Sequence, residues 1–340
     1  MPQSPYIANS KRRLCINTYD GSGQAVHPSV IDFLNEYNIP QWGGYRYWMA
    51  MTPYPHSNDS YENPSLLASH DGERWITPNG IKNPLAWAAG GWEHGFHNDP
   101  DLIYNPYDNR IWLYFRHASN RSLRIELIRI SDDMAMADSI TVMKQSPWSQ
   151  LENKNRSMCI WQESHNRWHM WGGGGSNEPP YGIYYFYSSD GISWSDPIQC
   201  LNEHGLDPFH TLGCYNWHMS CKPNPQRKRV EFLCQVISHN RTYSNFTRFL
   251  RMASERLWKD HGYYVMHTQC SMDNLTVFQT PHTKPVLVPS KFGWDNLLVY
   301  RCCFQIYKCS DTFRYKIWYS PLSRKGKWGI GLTSGFLNDT

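Results

Sequence analysis

The sequence predicts an all-β fold, a five-bladed β-propeller with four-stranded antiparallel blades around a central channel. Three observations carry this expectation. Helical periodicity is scarce, with one short candidate over residues 29–37, while short β-branched and aromatic runs bounded by turn residues fill the chain. One strand rhythm recurs five times at a spacing of about 68 residues, the signature of a ring of repeated sheets. Aromatic residues make up 15% of the chain, which supplies large rings for packing between sheets and excludes a disordered chain.

Each repeat opens with an apolar strand and follows it with an aromatic-rich one. HPSVIDF (27–33) precedes YRYWMAM (45–51), and DPDLIYN (99–105) precedes RIWLYFR (110–116). SMCIWQE (157–163) leads to RWHMWGG (167–173), WHMSCKP (217–223) to RVEFLCQV (229–236), and LVYRCCF (298–304) to RYKIWYS (314–320). Further strands are expected over 124–130, 183–187 and 263–267. The pattern S-x-D-G-x-x-W occurs twice, at Ser69–Trp75 and Ser188–Trp194. Asp accepts backbone hydrogen bonds, Gly supplies positive φ, and Trp packs back between sheets, so the motif reads as a structural turn. Residues 1–24 are expected to form an N-terminal extension and 25–340 a single propeller domain.

Composition excludes several function classes. No apolar stretch approaches the ~18 residues of a spanning helix, so no membrane insertion is expected. The N-terminus lacks an apolar signal region, which points to a cytoplasmic or virion-associated protein. Net charge is +4, and the densest basic stretch, Gln226–Arg229, reads as a turn between strands, so no nucleic-acid partner is expected. The ten cysteines show no CxxC pair and read as free buried thiols. No Ser-His-Asp set, HExxH or GxGxxG signature is present, and the glycine run at 172–175 lacks the Lys-Ser/Thr of a phosphate loop.

At HPSV, YRYWMAMTPYP (45–55), YENPSLLASHDGERW (61–75), NDPDLIYN (98–105) and the WYS…KWGIGL segment (318–332), the chain resembles the five-bladed propeller superfamily of arabinanases, xylosidases, invertases and levansucrases. It is most similar to poorly characterised bacterial and phage members, and the resemblance runs from about 25 to 333. It implies carbohydrate as the partner, with a base Asp from blade one, a tuning Asp from blade two and an acid Glu from blade three at one channel mouth. Here blade one carries His27-Pro28 in place of Asp-Pro, blade two keeps Asp99-Pro100-Asp101, and blade three opens Ser157-Met158, with Glu163 only at the far end of its strand. The trio is incomplete. Two readings follow: a glycoside hydrolase acting on an oligo- or polysaccharide without a metal or other cofactor, and a non-catalytic glycan-binding or structural propeller of a phage virion or tail that would also contact other virion proteins.

Candidate catalytic residues are Asp99, Glu62, Glu178 and His27. Glycoside hydrolysis needs two carboxyl groups about 5–9.5 Å apart, which different blades can supply. Asp99 is the best-placed carboxylate, at what reads as a strand start marked by Pro100. Glu62, beside Tyr61 at the expected start of an inner strand, suits an acid raised by desolvation, with a hairpin salt bridge as the other reading. Glu178 sits in the glycine-rich loop 172–180, and His27 can act as a base or bond across the channel. Candidate substrate contacts are His97, Asp101, Trp217, His218, Arg301, Tyr47 and Trp161, with Asp101 also readable as structural, His218 as support for a channel cation, and Arg301 as partner to Asp99 or Glu62. Trp42 and Trp92 join Tyr47, Trp161 and Trp217 as sugar-stacking candidates, while most of the 16 Trp are assigned to inter-blade packing.

Overall fold

The structure, a computed structural model, describes residues 7–88, 90–120, 123–145, 157–174, 182–209, 212–238 and 263–337. Five antiparallel units follow one another along the chain. Blade one holds β1 (Ala25–Asp32), β2 (Tyr47–Pro53) and β3 (Ser65–Ser69), with a bridge from Ala68 to Ile76 as its outer fourth position. Blade two holds β4 (Phe96–Asn105), β5 (Arg110–Ala118), β6 (Leu123–Ile130) and β7 (Ile140–Gln145). Blade three holds β8 (Met158–Ser164), β9 (Arg167–Gly174), β10 (Gly182–Ser188) and β11 (Ile198–Asn202). Blade four holds β12 (Cys214–Asn224), β13 (Arg229–Ser238), β14 (Tyr263–Ser271) and β15 (Asn274–Gln279). Blade five holds β16 (Leu298–Cys309), β17 (Thr312–Leu322) and β18 (Gly331–Phe336). The first strands touch in a closed cycle, β1 to β4 to β8 to β12 to β16 and back to β1, so the described residues form a ring of five blades. Blades three and four also fuse at their outer edges, where β11 and β15 pair in parallel through Leu201–Val277 and Asn202–Phe278.

Large rings fill the gaps between blades. Trp112 stacks on Trp168 with centroids 4.9 Å apart, Trp171 meets Phe232 edge-on at 5.1 Å, and Tyr47 meets Trp318 at 6.1 Å. Burying such a ring removes about 150–250 Å² from water, worth about 4–6 kcal/mol as an upper bound. The two S-x-D-G-x-x-W turns are joints of the same design. Asp71 and Asp190 each accept two following backbone N–H groups, and Gly72 and Gly191 sit at φ +77° and +71°. Each glycine carbonyl then accepts from a neighbouring blade, Gly72 from the Trp318 indole and Gly191 from the Tyr114 hydroxyl.

The short helix expected over 29–37 shrinks to α1 (Phe33–Tyr37), because β1 claims residues through Asp32, whose side chain then caps the helix by accepting from Asn35 N. The basic cluster is a turn between β12 and β13, with a 3-10 turn at Pro225–Arg227. All ten cysteines are free and eight are buried. Ahead of blade one, Ile7 packs into the blade-five core and Leu14 N donates to Ile330 O, so the segment lies against the blade that closes the ring.

One irregularity recurs and positions everything that follows. The β1 ladder skips between Val26 and Ser29, β4 between Asn98 and Asp101, β12 between Asn216 and His218, and β16 between Val299 and Cys302. Four of the five inner strands thus bulge near their N-terminal ends. A bulge leaves residues unpaired and re-aims their side chains. The bulged positions are His27-Pro28, Asp99-Pro100, Trp217 and Tyr300-Arg301. Proline costs no ladder bond there, so Pro100 marks a bulge inside β4 and not a strand start.

Candidate functional site

The bulges converge four blades on one buried carboxylate. Asp99, at φ +52°, directs Oδ1 toward His218 Nδ1 at 3.2 Å, Arg301 Nη1 at 3.4 Å and His27 Nε2 at 3.6 Å, while Oδ2 faces Arg116 Nη1 at 3.5 Å. His27, also in the left-handed region at φ +57°, shares a hydrogen bond with Thr52 Oγ1 at 2.9 Å through Nδ1, and the same nitrogen lies 3.5 Å from Glu62 Oε1. Non-glycine residues at positive φ store strain of order 1–3 kcal/mol and cluster at functional sites. Two of them, from different blades, aim side chains at each other here. Tyr300 packs against both imidazoles, with its centroid 5.2 Å from His27 and 4.2 Å from His218.

Burial alone would raise the Asp99 carboxyl, but the imidazoles and guanidinium around it hold it far below the usual carboxylate range. Burial pushes His27 and His218 down toward the neutral form, against the pull of Asp99. Arg301 and Arg116 add guanidinium charges at 3.4 and 3.5 Å. Glu62 moves the other way: burial first, then the Asp99 charge, push it well up, with Asn98 hydrogen-bonding to it in opposition. Two carboxyl groups on either side of His27 are thus driven apart, one ionised and one inclined to keep its proton.

His27, Asp99 and His218 also bring one ligand atom each within 4.8 Å of one another. Nε2 of His27 and both ring nitrogens of His218 are buried without a hydrogen-bond partner, so the 3.2 Å approach of His218 to Asp99 lacks hydrogen-bond alignment. Unpartnered buried nitrogens of this kind call for a ligand, since leaving them unmet costs about 1–3 kcal/mol each. Two imidazoles and a carboxylate suit a divalent transition metal. Arg301 competes for the same Asp99 oxygen, but it has other partners in Met158 O at 3.3 Å and Asp101 Oδ1 at 3.7 Å. The residues present fit a cation.

Several expectations change. Glu62 reaches the site, but from the loop between β2 and β3, after a 3-10 turn at Asp59–Tyr61, and not from an inner strand. Asp101, across the bulge from Asp99, takes the structural role, although Arg301 reaches both carboxylates. It accepts from Ser29 Oγ at 2.8 Å and Ile160 N at 2.9 Å and bolts blades together. His97 turns away from the channel onto Phe115 and His117. Tyr47 is buried in the seam with blade five, with Arg46 and Lys316 over its ring, and Trp42 is buried against Phe33 and Trp48. Trp161 stacks on His169 and lines a separate cavity of about 360 Å³ at the other end of the inner strands, near Lys222 and Gln305. Trp217 stands half-buried beside His218. Glu178 and the Trp92 side chain lie outside the described residues. Glu163 binds Arg167 and His169, so blade three brings no carboxylate to the site among the described residues. Arg116, Thr52, Asn98 and Tyr300 were missed. Arg116 pairs with Asn98 in the β4–β5 ladder, a register that only the bulge makes meaningful.

No family model matches the chain. The chain is 25% identical over 339 residues to the A type blood N-acetyl-alpha-D-galactosamine deacetylase of Flavonifractor plautii. That match takes in 88% of this chain but only 40% of that protein, so the chain spans about two fifths of the curated relative. Among solved structures, the N-acetylgalactosamine deacetylase from F. plautii, in complex with blood group B trisaccharide, superposes with a TM-score of 0.75 at 21% identity, over 97% of this chain and 95% of that one. A structure from the GH130 family of mannoside phosphorylases, which contains glycoside hydrolases that target β-1,2 mannosidic linkages in Candida mannan, gives a TM-score of 0.52 at 11% identity, over 98% and 95%. A glycosyl hydrolase from Bacteroides ovatus gives 0.51 at 13%, over 96% and 90%. These likenesses establish the propeller fold.

Proposed function

We propose that this protein is a carbohydrate-active enzyme that removes an acetyl group from an N-acetylated sugar of a glycan, at the Asp99 centre, with a divalent cation held by His27, Asp99 and His218. The observation that carries this reading is the ligand set itself. A histidine stands where a glycosidase of this fold would place its blade-one aspartate, and it completes two imidazoles and a carboxylate with unpartnered nitrogens. The F. plautii deacetylase supports the reaction class. None of the proteins named above is a phage or virion protein, so the virion expectation gains no support.

When bound, a divalent cation supplies Lewis-acid polarisation of a carbonyl. The chain's own groups do the rest. Glu62, buried against His27 Nδ1 and inclined to keep its proton, is placed to give that proton to the departing amine and to recover one from the oxygen of the water that attacks the acetamide carbon. The C–N bond breaks, acetate leaves, and the sugar keeps a free amino group. Asp99 lies between both imidazoles, Arg116 and Arg301 hold it ionised, and Tyr300 packs against both imidazoles and fixes their place.

The test is release of acetate from blood group A trisaccharide, measured beside release of free sugar. Acetate release that Asp99→Asn and Glu62→Gln each lower by at least about 100-fold, and that a chelator abolishes and zinc or manganese restores, is expected. A second reading, glycoside hydrolysis, draws on the two carboxyl groups flanking His27 at 3.5 and 3.6 Å. Free sugar without acetate would establish it and overturn the first.

A further inference from the structure

Exposed aromatic rings gather where the connection between β3 and β4 runs beside the loop that carries Glu62. Trp87 is 66% exposed and Tyr61 41% exposed, large values in a chain that buries most of its rings. Exposing an indole to water is unfavourable, and isolated exposure is common enough, but here the backbone beneath it is fixed. Leu85 N donates to Pro64 O at 2.8 Å, Ala88 N to Asn63 Oδ1 at 2.9 Å, and His97 N to Glu62 O at 2.8 Å. Leu85, Ala88 and His97 are therefore tied to residues 62–64 on both sides of Trp87. Tyr19 completes the arrangement. Its hydroxyl donates to Tyr61 O at 2.7 Å and accepts from Asn63 Nδ2 at 3.2 Å, and its ring meets Trp87 edge-on at 5.9 Å.

We infer that Trp87, buttressed by Tyr19 and flanked by Tyr61, is a glycan-binding subsite, the platform on which the sugar next to the reacting one stacks. The inference rests on the deacetylase reading for which sugar reacts, and it fixes the substrate class as an oligosaccharide and not a single sugar. An indole face packs against the C–H face of a pyranose, and a neutral ring needs no charge there. Pre-fixed backbone means that little ordering is lost on binding. The platform lies on the β3–β4 connection, which is hydrogen-bonded to residues 62–64, so the second sugar's position is tied to that of the acid.

The experiment compares blood group A trisaccharide with methyl N-acetyl-α-D-galactosaminide on the full chain, wild type and Trp87→Ala and Trp87→Phe. The wild type is expected to prefer the trisaccharide in kcat/KM. Trp87→Ala is expected to lower the ratio of the two kcat/KM values about 3- to 10-fold through KM, and Trp87→Phe to recover most of it. An unchanged ratio in Trp87→Ala overturns the inference while leaving deacetylation standing. If neither compound is deacetylated, calorimetric titration decides. Trisaccharide binding that Trp87→Ala weakens more than binding of the monosaccharide upholds the platform and sinks only the reaction. No trisaccharide binding by the wild type, or equal weakening for both, overturns the platform. Circular dichroism of each variant checks folding, and Trp87→Phe carries the test if the alanine variant is unfolded.

Discussion

Asp101→Ala should loosen the ring more than any other single change near the channel. The carboxylate is 7% exposed and holds four blades at once. From its own place in β4 it accepts Ser29 Oγ of blade one at 2.8 Å and Ile160 N of blade three at 2.9 Å, and it lies 3.7 Å from Arg301 of blade five. Burial pushes the carboxyl up despite Arg301, so the charge is kept at a cost and the hydrogen bonds must repay it. Hydrogen bonds to a charged group contribute about 1.5–3 kcal/mol each, and breaking a buried ion pair on one side costs about 3–5 kcal/mol. Because these overlap, the expected loss is about 3–5 kcal/mol. With an unfolding entropy of about 2.1 cal/mol/K per residue, a chain of this length should then melt about 4–7 °C lower. Urea unfolding followed by tryptophan fluorescence measures the loss. Ser29→Ala alone should cost about 1 kcal/mol, and the double variant less than the sum of the two. A midpoint for Asp101→Ala equivalent to less than 1 kcal/mol would refute the bolt.

Three further outcomes are expected. Glu231 is held down at about 2 because His267, Arg229 and Tyr315 outweigh its burial. Its folded value lies below the unfolded one of 4.5, so it contributes about 3 kcal/mol that is fully present above pH 4.5 and is lost as pH falls toward 2; Glu231→Gln should flatten that limb of the acid-unfolding curve, and an unchanged limb would count against it. Gly191→Ala adds a Cβ within 3.0 Å of Trp112 and Trp168 at φ +71°, and should cost about 2–4 kcal/mol in denaturant unfolding, whereas a neutral result would deny the joint between blades two and three. Arg116→Ala should lower turnover without lowering the thermal midpoint by more than a few degrees, and a variant that loses only stability would remove Arg116 from the site.

Most of the channel-facing residues were legible for a local reason. His27, Asp99 and Arg301 lie near the starts of recurring strands, so their place in the repeat pointed to one mouth of the channel. His97 was placed at the mouth by the same logic carried too far, since the bulge between Asn98 and Asp101 breaks the alternation that linked it to Asp99. The structural reading of Asp101 agrees with its hydrogen bonds to Ser29 and Ile160. Tyr47 and Trp42 read as platforms because a sequence does not distinguish a ring that fills a seam from one that faces water. Trp87 was overlooked for the converse reason, since it belongs to no strand pattern.

The class of fold, the five units and the pair of Asp-Gly joints are written in local patterns of the chain. These rest on short-range physics: period-two patterning, turn chemistry and the volume of aromatic rings that sheets must bury. Long-range packing, by contrast, rings Asp99 with two imidazoles and two guanidiniums from four blades, brings Glu62 in from a loop, and gives Asp101 its partners in three other blades. Those facts depend on contacts between residues as far apart as Asp99 and Arg301, and on bulges that reverse a side chain's face without changing its neighbours in the chain. Closing the ring brings such residues together, and no local pattern records where it closes.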